Sequence, residues 1–323
     1  MLIAISSRKR ACLPCCAYAR LQEAPGEDVT NEALPGYAIE AVQNRNYNDD
    51  GSTEVCKRSL RHGGSPLKGS EEEGQKGLGI GERYQEETKY TPGRMGYALD
   101  WQNMPEPHKN YASPIGTIAL PEPLIGQAAN VWEVFGRRRS TRAFSRAQNL
   151  PLDLLSCLLW STQGITATAG EWDFRAAPSA GALYPIETYL LARAVEGLEQ
   201  GIYHFRPHVF DLEFIKRGEF ATLLAGAALG QDMIRQAQAT FVWTAVVARS
   251  TWKYRQRAYR YIYMDAGHIG QNLYLAGTAA GLGVCTVGAF FDDQVNDLIG
   301  IDGAEETTVY LASVGWPRRV KAG

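Results

Sequence analysis

Tyr259 to Phe290, YRYIYMDAGHIGQNLYLAGTAAGLGVCTVGAF, decides the fold class. Apolar residues keep a helical period from Tyr259 to Ala280, Gly281-Leu-Gly283 interrupts it, and Val284 to Val287 reads as a strand. The stretch from Ile262 to Gly281 is also the longest apolar candidate in the chain. Asp265, His268, Gln271 and Asn272 break it short of the roughly 20 apolar residues that a membrane-spanning helix needs, so no membrane is expected.

Working outward, a short helix is predicted over Asp292 to Ile299 and a last strand over Thr307 to Val314. Upstream, Thr240 to Ala248 is an apolar, β-branched run of buried-strand length. Glu187 to Ala192 is a further strand, and Ile202 to Phe205 and Val209 to Ile215 form a hairpin through Arg206-Pro-His208. Two amphipathic helices precede them: about Val131 to Arg138, and one starting at Pro151 with Leu152, Leu155, Leu158 and Leu159 on one face before Gly164. Helices and strands mix without a regular βαβ repeat. The fold class is therefore α+β, with a mixed, mostly antiparallel sheet flanked by helices.

Three parts are expected: a disordered or atypical extension over 1–80, an extended lead-in over 81–129, and a folded domain over 130–323. The first lacks any sustained period and is dense in Gly, Asn, Ser, Glu and Lys over Asn44 to Gly81. The lead-in carries aromatics and prolines, as in Tyr90-Thr-Pro and Leu120-Pro-Glu-Pro.

Composition narrows the function. A net charge of -2 gives no field for nonspecific nucleic-acid binding, so no nucleic acid is expected as a partner. The N-terminal order of charge and apolar residues is wrong for a secretory signal, and a cytoplasmic location is expected. Cys12, Cys15, Cys16 and Cys56 lack a paired C-x-x-C spacing and read as free thiols, so no metal is expected. Cys157 and Cys285 lie in apolar runs and read as small buried side chains. Rossmann, P-loop, zincin and serine-hydrolase motifs are absent.

Three segments carry chemistry instead. Arg137-Arg-Arg-Ser-Thr-Arg142 packs guanidinium forks around a hydroxyl, which suits a phosphate monoester; a solvated basic face is the alternative. Pro178-Ser-Ala-Gly-Ala-Leu-Tyr-Pro185 is a small-residue turn that lets a flat ligand approach the backbone. Gly288 and Ala289 end a strand where backbone N–H groups could face a ring, although plain close packing looks the same.

The order R-R-S-x-R, P-S-A-G-x-L-Y-P, G-H-I-x-Q-N-L-Y-L-A and G-L-G-x-C-x-V-G-A-F resembles the nitroreductase superfamily, specifically its SagB/ThcOx-type dehydrogenases, over about Tyr84 to Pro317. The resemblance implies a nitroreductase-like fold for the domain over 130–323, with FMN at a homodimer interface, to which the helix carrying His268 and Asn272 contributes. It implies phosphate and ribityl contacts from Arg138, Arg139, Ser140 and Arg142, with Arg318 and Arg319 as weaker candidates. Pro178, Ser179, Gly181 and Leu183 would lie beside the isoalloxazine ring, and Gly288 and Ala289 near N5. His268 is expected to make a structural hydrogen bond.

The resemblance also points to Lys253 and Tyr254 as the catalytic pair. Aromatising an azoline removes a proton and a hydride from the ring, so a base must oppose the flavin N5. A lysine desolvated beside a tyrosine and arginines is disposed toward that role; the alternative is that the pair only positions the helix start. The implied substrate is a small molecule or a modified peptide, with a cyclodehydratase as a possible partner. Two other readings stay open: an NAD(P)H-dependent nitro or quinone reductase, and a non-catalytic flavin-binding subunit of a peptide-modifying complex.

Overall fold

The computed structural model describes residues 79–91, 98–124, 129–170 and 172–318. Residues 1–78 of the expected extension, with Cys12, Cys15, Cys16 and Cys56, lie outside them, as does Arg319. Helix α1 spans Ile80–Glu87 and strand β1 Gly116–Ala119. Next come α2 (Val131–Arg137), α3 (Leu152–Gln163), β2 (Ile165–Ala169), β3 (Trp172–Arg175), β4 (Ile186–Ala192), β5 (Gly201–Arg206) and β6 (Asp211–Arg217). Two short helices, α4 (Ala221–Ala227) and α5 (Met233–Gln236), lead to β7 (Ala239–Val246), α6 (Val247–Tyr254) and the long α7 (Ala258–Ala279). The chain continues through β8 (Gly283–Val287), α8 (Asp292–Ile299) and β9 (Glu306–Gly315).

Seven strands form one sheet in the order β1-β6-β5-β4-β7-β9-β8, and β2 pairs with β3 apart from it. Successive side chains of a strand face opposite sides, and the sheet uses both. Ile186, Leu190, Phe241 and Trp243 pack on one face with Leu155, Leu158 and Leu159 of α3 and Ile262, Ile269 and Leu273 of α7. Tyr189, Leu191 and Val242 pack on the other with Leu224 of α4, Met233 of α5 and Val295 and Ile299 of α8. Burial on both faces is why β4 and β7 read as continuous apolar runs.

Local signals set the ends. Asn130 caps α2 by accepting the Trp132 N–H at 2.9 Å. Asp292 and Asp293 occupy the first turn of α8, where the helix dipole favours carboxylates, and Gly300 ends it at φ 90°.

The fold is α+β as expected, with four differences. Every pairing in the seven-stranded sheet is antiparallel, and parallel pairing is confined to isolated bridges such as Ser140 with Val284. The lead-in is not extended throughout: α1 forms where Tyr84 accepts the Arg260 N–H at 2.8 Å, and β1 pairs along β6. Val209 lies in a turn, Pro207 to Phe210, in which Phe210 takes a φ of 59°, so β6 begins at Asp211. The run expected as strand to Ala248 stops at Val246, and Val247 opens α6. Cys285 is buried as expected, whereas Cys157 is only half-buried. Among the described residues no helix is long and apolar enough to cross a membrane.

Candidate active site

The arginine run divides at the end of α2. Arg137 pairs with Glu133 one turn back at 2.9 Å, an ordinary surface pair. Arg138 lays its guanidinium over the Tyr274 ring at 5.2 Å, and Arg139 donates to the Gly136 and Arg138 carbonyls. Ser140 lies 2.9 Å from the Tyr274 hydroxyl, and the Thr141 N–H donates to the Val284 carbonyl. Gly283 must stay small here, because a Cβ would sit 2.6 Å from Thr141 Cγ2.

Farther along, the Arg318 N–H donates to the Ala143 carbonyl at 2.9 Å, which brings Arg318 to the Arg142 segment. Tyr274 also accepts the Thr286 N–H at 3.0 Å, two residues before the exposed Gly288 and Ala289. One edge of the fold thus gathers Arg138, Arg139, Ser140, Arg142, Arg318, Gly288 and Ala289. Among the described residues, none of these four arginines has a carboxylate within 4.0 Å, unlike Arg137.

The small-residue turn forms a second group. Ser179 donates to Asp265 at 2.6 Å and accepts the Tyr184 N–H at 3.0 Å, while the Ala180 N–H donates to the other Asp265 oxygen at 3.3 Å. Gly181, Ala182 and Tyr184 all have left-handed φ, of 66°, 54° and 44°. Such strain costs about 1–3 kcal/mol per non-glycine residue and persists only where surroundings hold it. Leu183 points inward at 7% exposure, and Pro178 is exposed.

Lys253 and Tyr254, half-buried, end α6, and Arg255 breaks the helix with a φ of 49°. The Lys253 ammonium lies 5.6 Å from the Tyr254 ring centre, and Tyr254 meets Tyr261 edge-on at 4.7 Å. A Cβ on Gly181 would fall 2.5 Å from Tyr254 Oη and 2.9 Å from Lys253 Nζ. The turn and the pair, distant in sequence, are therefore in direct contact.

Two residues that sequence reasoning did not select organise these groups. Asp265 anchors the turn; burial pushes its carboxyl up, against the opposing hydrogen bonds from Ser179 and Ala180. Tyr274 links Arg138, Ser140 and Thr286. A signal for Asp265 existed: an acid on the inward stripe with Ile262, Ala266 and Ile269 needs a partner. His268 corrects an expectation, since it is exposed and makes no hydrogen bond among the described residues. Asn272 instead donates to the Ser161 carbonyl at 2.9 Å and ties α7 to α3.

The Nitroreductase family model matches residues 136–316, more than half of the chain. MJ1384 of Methanocaldococcus jannaschii, a protein named for the nitroreductases, is 37% identical over 183 residues, 57% of this chain and 89% of its own length. The trifolitoxin-processing protein TfxB of Rhizobium leguminosarum bv. trifolii is 34% identical over 41% of this chain and 38% of TfxB. The microcin B17-processing protein McbC of Escherichia coli is 29% identical over 39% of this chain and 48% of McbC. The matched part thus spans less than half of either processing protein.

Among solved structures, a chain of Anabaena variabilis named for the nitroreductases superposes with a TM-score of 0.60 at 29% identity, over 73% of this chain and 47% of that one. A chain of the E. coli microcin synthetase McbBCD complex with truncated pro-MccB17 bound gives 0.51 at 20% identity, over 77% of this chain and 85% of that one, a likeness of fold alone. Members of this family typically bind a flavin. By its match over residues 136–316 this chain belongs to the nitroreductase family of oxidoreductases, and its similarity to TfxB and McbC supports the SagB-type branch.

Proposed function

We propose that this protein is an FMN-dependent dehydrogenase of the SagB/ThcOx type that oxidises a substrate such as a peptide azoline ring. The observation that carries the reading is the contact of Gly181 with Lys253 and Tyr254, which joins the turn assigned to the flavin ring to the assigned base. Guanidiniums around a hydroxyl, exposed at Arg139, Arg142 and Arg318 and without carboxylate partners among the described residues, fit a phosphate monoester. Arg138, Arg139, Ser140, Arg142 and Arg318, together with Arg319, would hold the phosphate and ribityl chain. Pro178, Ser179, Gly181 and Leu183 would flank the ring, and Gly288 and Ala289 its N5 edge. Bound FMN supplies a hydride acceptor. Lys253 takes the proton that leaves the substrate carbon, Tyr254 orients the lysine, and Asp265 fixes the turn opposite them.

The two groups of residues also support a homodimer. Asp265 and Tyr274 stand nine residues apart on α7, so they leave the helix on opposite sides roughly 13 Å apart along its axis. A single flavin reaches both groups when a second copy packs along α7, whose exposed stripe holds Tyr263, Met264, Gly267, His268 and Gln271. The names of TfxB and McbC favour a peptide substrate, and the McbBCD complex, one chain of which shares this fold, is consistent with a ring-forming partner, a cyclodehydratase.

Anaerobic bleaching of the flavin tests the reading. An azoline peptide should reduce the bound FMN within a single turnover. Bleaching by NADPH alone would replace this reading with the reductase, and FAD or no flavin in the purified protein would remove it.

A further inference from the structure

A cavity of about 300 Å³ opens beside the same turn, lined by Ala182, Leu183 and Tyr184 and by Trp252 next to Lys253. Its remaining wall includes His108, Trp172 and Arg175, none of them used by the chemistry above. Arg175 is the unusual member. It is 7% exposed, donates Nη1 to Gln163 at 2.8 Å, and stacks its guanidinium 4.7 Å from the Tyr184 ring centre.

Its Nε, however, is buried without a hydrogen-bond partner, and no carboxylate lies within ion-pair distance among the described residues. Glu187, the nearest buried acid, is taken by Arg249 at 2.5 Å and His204 at 2.8 Å. A buried guanidinium with no carboxylate at ion-pair distance is costly; burial, with Arg249 nearby, outweighs the opposing charges of Glu187 and Asp173 and lowers Arg175 to about 10. His108 contributes a second unmet atom: its Nδ1 is buried without a partner, while its Nε2 lies 3.5 Å from Asp173.

We propose that this cavity is the substrate's carboxylate subsite: the Arg175 guanidinium, with His108 beside it, binds a carboxylate attached to the ring being oxidised, between the Trp172 and Trp252 side chains. The inference rests on the oxidation proposed above and narrows its substrate. A carboxylate beside the ring belongs to a free heterocyclic acid or to a ring at a peptide's C-terminus, because an internal ring carries an amide there. A volume of about 300 Å³ holds one five-membered ring with its acid group and leaves room for the substituent that continues from it.

Full-length, flavin-loaded protein titrated with thiazole-4-carboxylate and with thiazole-4-carboxamide, followed by tryptophan fluorescence, tests this without turnover. The acid should bind at least about tenfold more tightly than the amide, as expected for one charge-assisted hydrogen bond. Arg175→Gln should abolish that preference, and Trp252→Phe should remove most of the quenching. Equal binding of acid and amide by the wild type, or an undiminished preference in R175Q protein of normal flavin content, would overturn the subsite. Should R175Q not fold, the wild-type comparison alone decides.

Single-turnover flavin reduction by a thiazoline-4-carboxylic acid and by its methyl ester separates the two proposals. Equal reduction by both overturns the subsite and keeps the oxidation. Reduction by neither, with the preference for the thiazole acid intact, overturns the oxidation and keeps the subsite.

Discussion

Arg138, whose N–H donates to the Val134 carbonyl, and the exposed Arg142 have no carboxylate within ion-pair distance among the described residues. Replacing each with alanine should raise the FMN dissociation constant about tenfold or more, since a charge-assisted hydrogen bond contributes about 1.5–3 kcal/mol. An unchanged constant in a fluorescence titration would return them to a solvated face. Glu187 shows the opposite case, a buried charge fully matched. Burial alone would raise its carboxyl, but the His204 hydrogen bond and the Arg249 charge prevail and lower it to about 2. A carboxyl lowered on folding stabilises the protein above its unfolded value, and that stability is lost as pH falls toward about 2. His204 is raised against its own burial by Glu187 and Glu213, so its contribution is present in acid and fades as pH rises through its folded value. Glu187→Gln should therefore cost about 3–5 kcal/mol by leaving Arg249 without its carboxylate and His204 with Glu213 in place of two acids. Denaturant unfolding between pH 5 and pH 2 should also flatten in the variant; an unaltered slope would place the acid sensitivity elsewhere.

At the scale of elements, α7 ties the two groups of site residues to the core, and Leu273 is its fully buried anchor. Leu273→Ala should lower the unfolding free energy by about 2–5 kcal/mol through lost transfer energy and a residual cavity. A loss under 1 kcal/mol in urea would mean that the helix closes the gap. This helix was also the most legible part of the sequence. Its period runs unbroken to Gly281, which takes a φ of 73°, and β8 follows where Val284 begins the β-branched run. Elements whose boundaries depend on distant partners were misread. Val247 looks like strand, yet its N–H donates to the Glu305 carbonyl and the chain turns into α6. The β2–β3 hairpin is exposed on most of its residues, so it carries no apolar alternation to read. In the site, the arginine run and the small-residue turn were visible as composition. The contact between Gly181 and Lys253 has no local signature, and Asp265 hid among small apolar neighbours.

For the whole molecule, a flavin shared as proposed by groups on opposite sides of α7 would depend on a second copy for its binding. Gly267, exposed and facing open space, lies on the stripe that would meet it. Gly267→Arg should convert a dimer to a monomer in light scattering and strip the flavin with it, whereas a yellow monomer would refute the shared site. In the reaction proposed above, Lys253 is the base that works against a hydride acceptor. A nicotinamide delivers hydride without releasing a proton from carbon, so only the azoline reaction needs that base. The most direct measurement is single-turnover flavin reduction by an azoline peptide and by NADPH in wild type and Lys253→Ala. The azoline rate should fall about 10²–10⁴-fold while flavin content and any NADPH rate hold; an undiminished azoline rate in K253A would contradict the account.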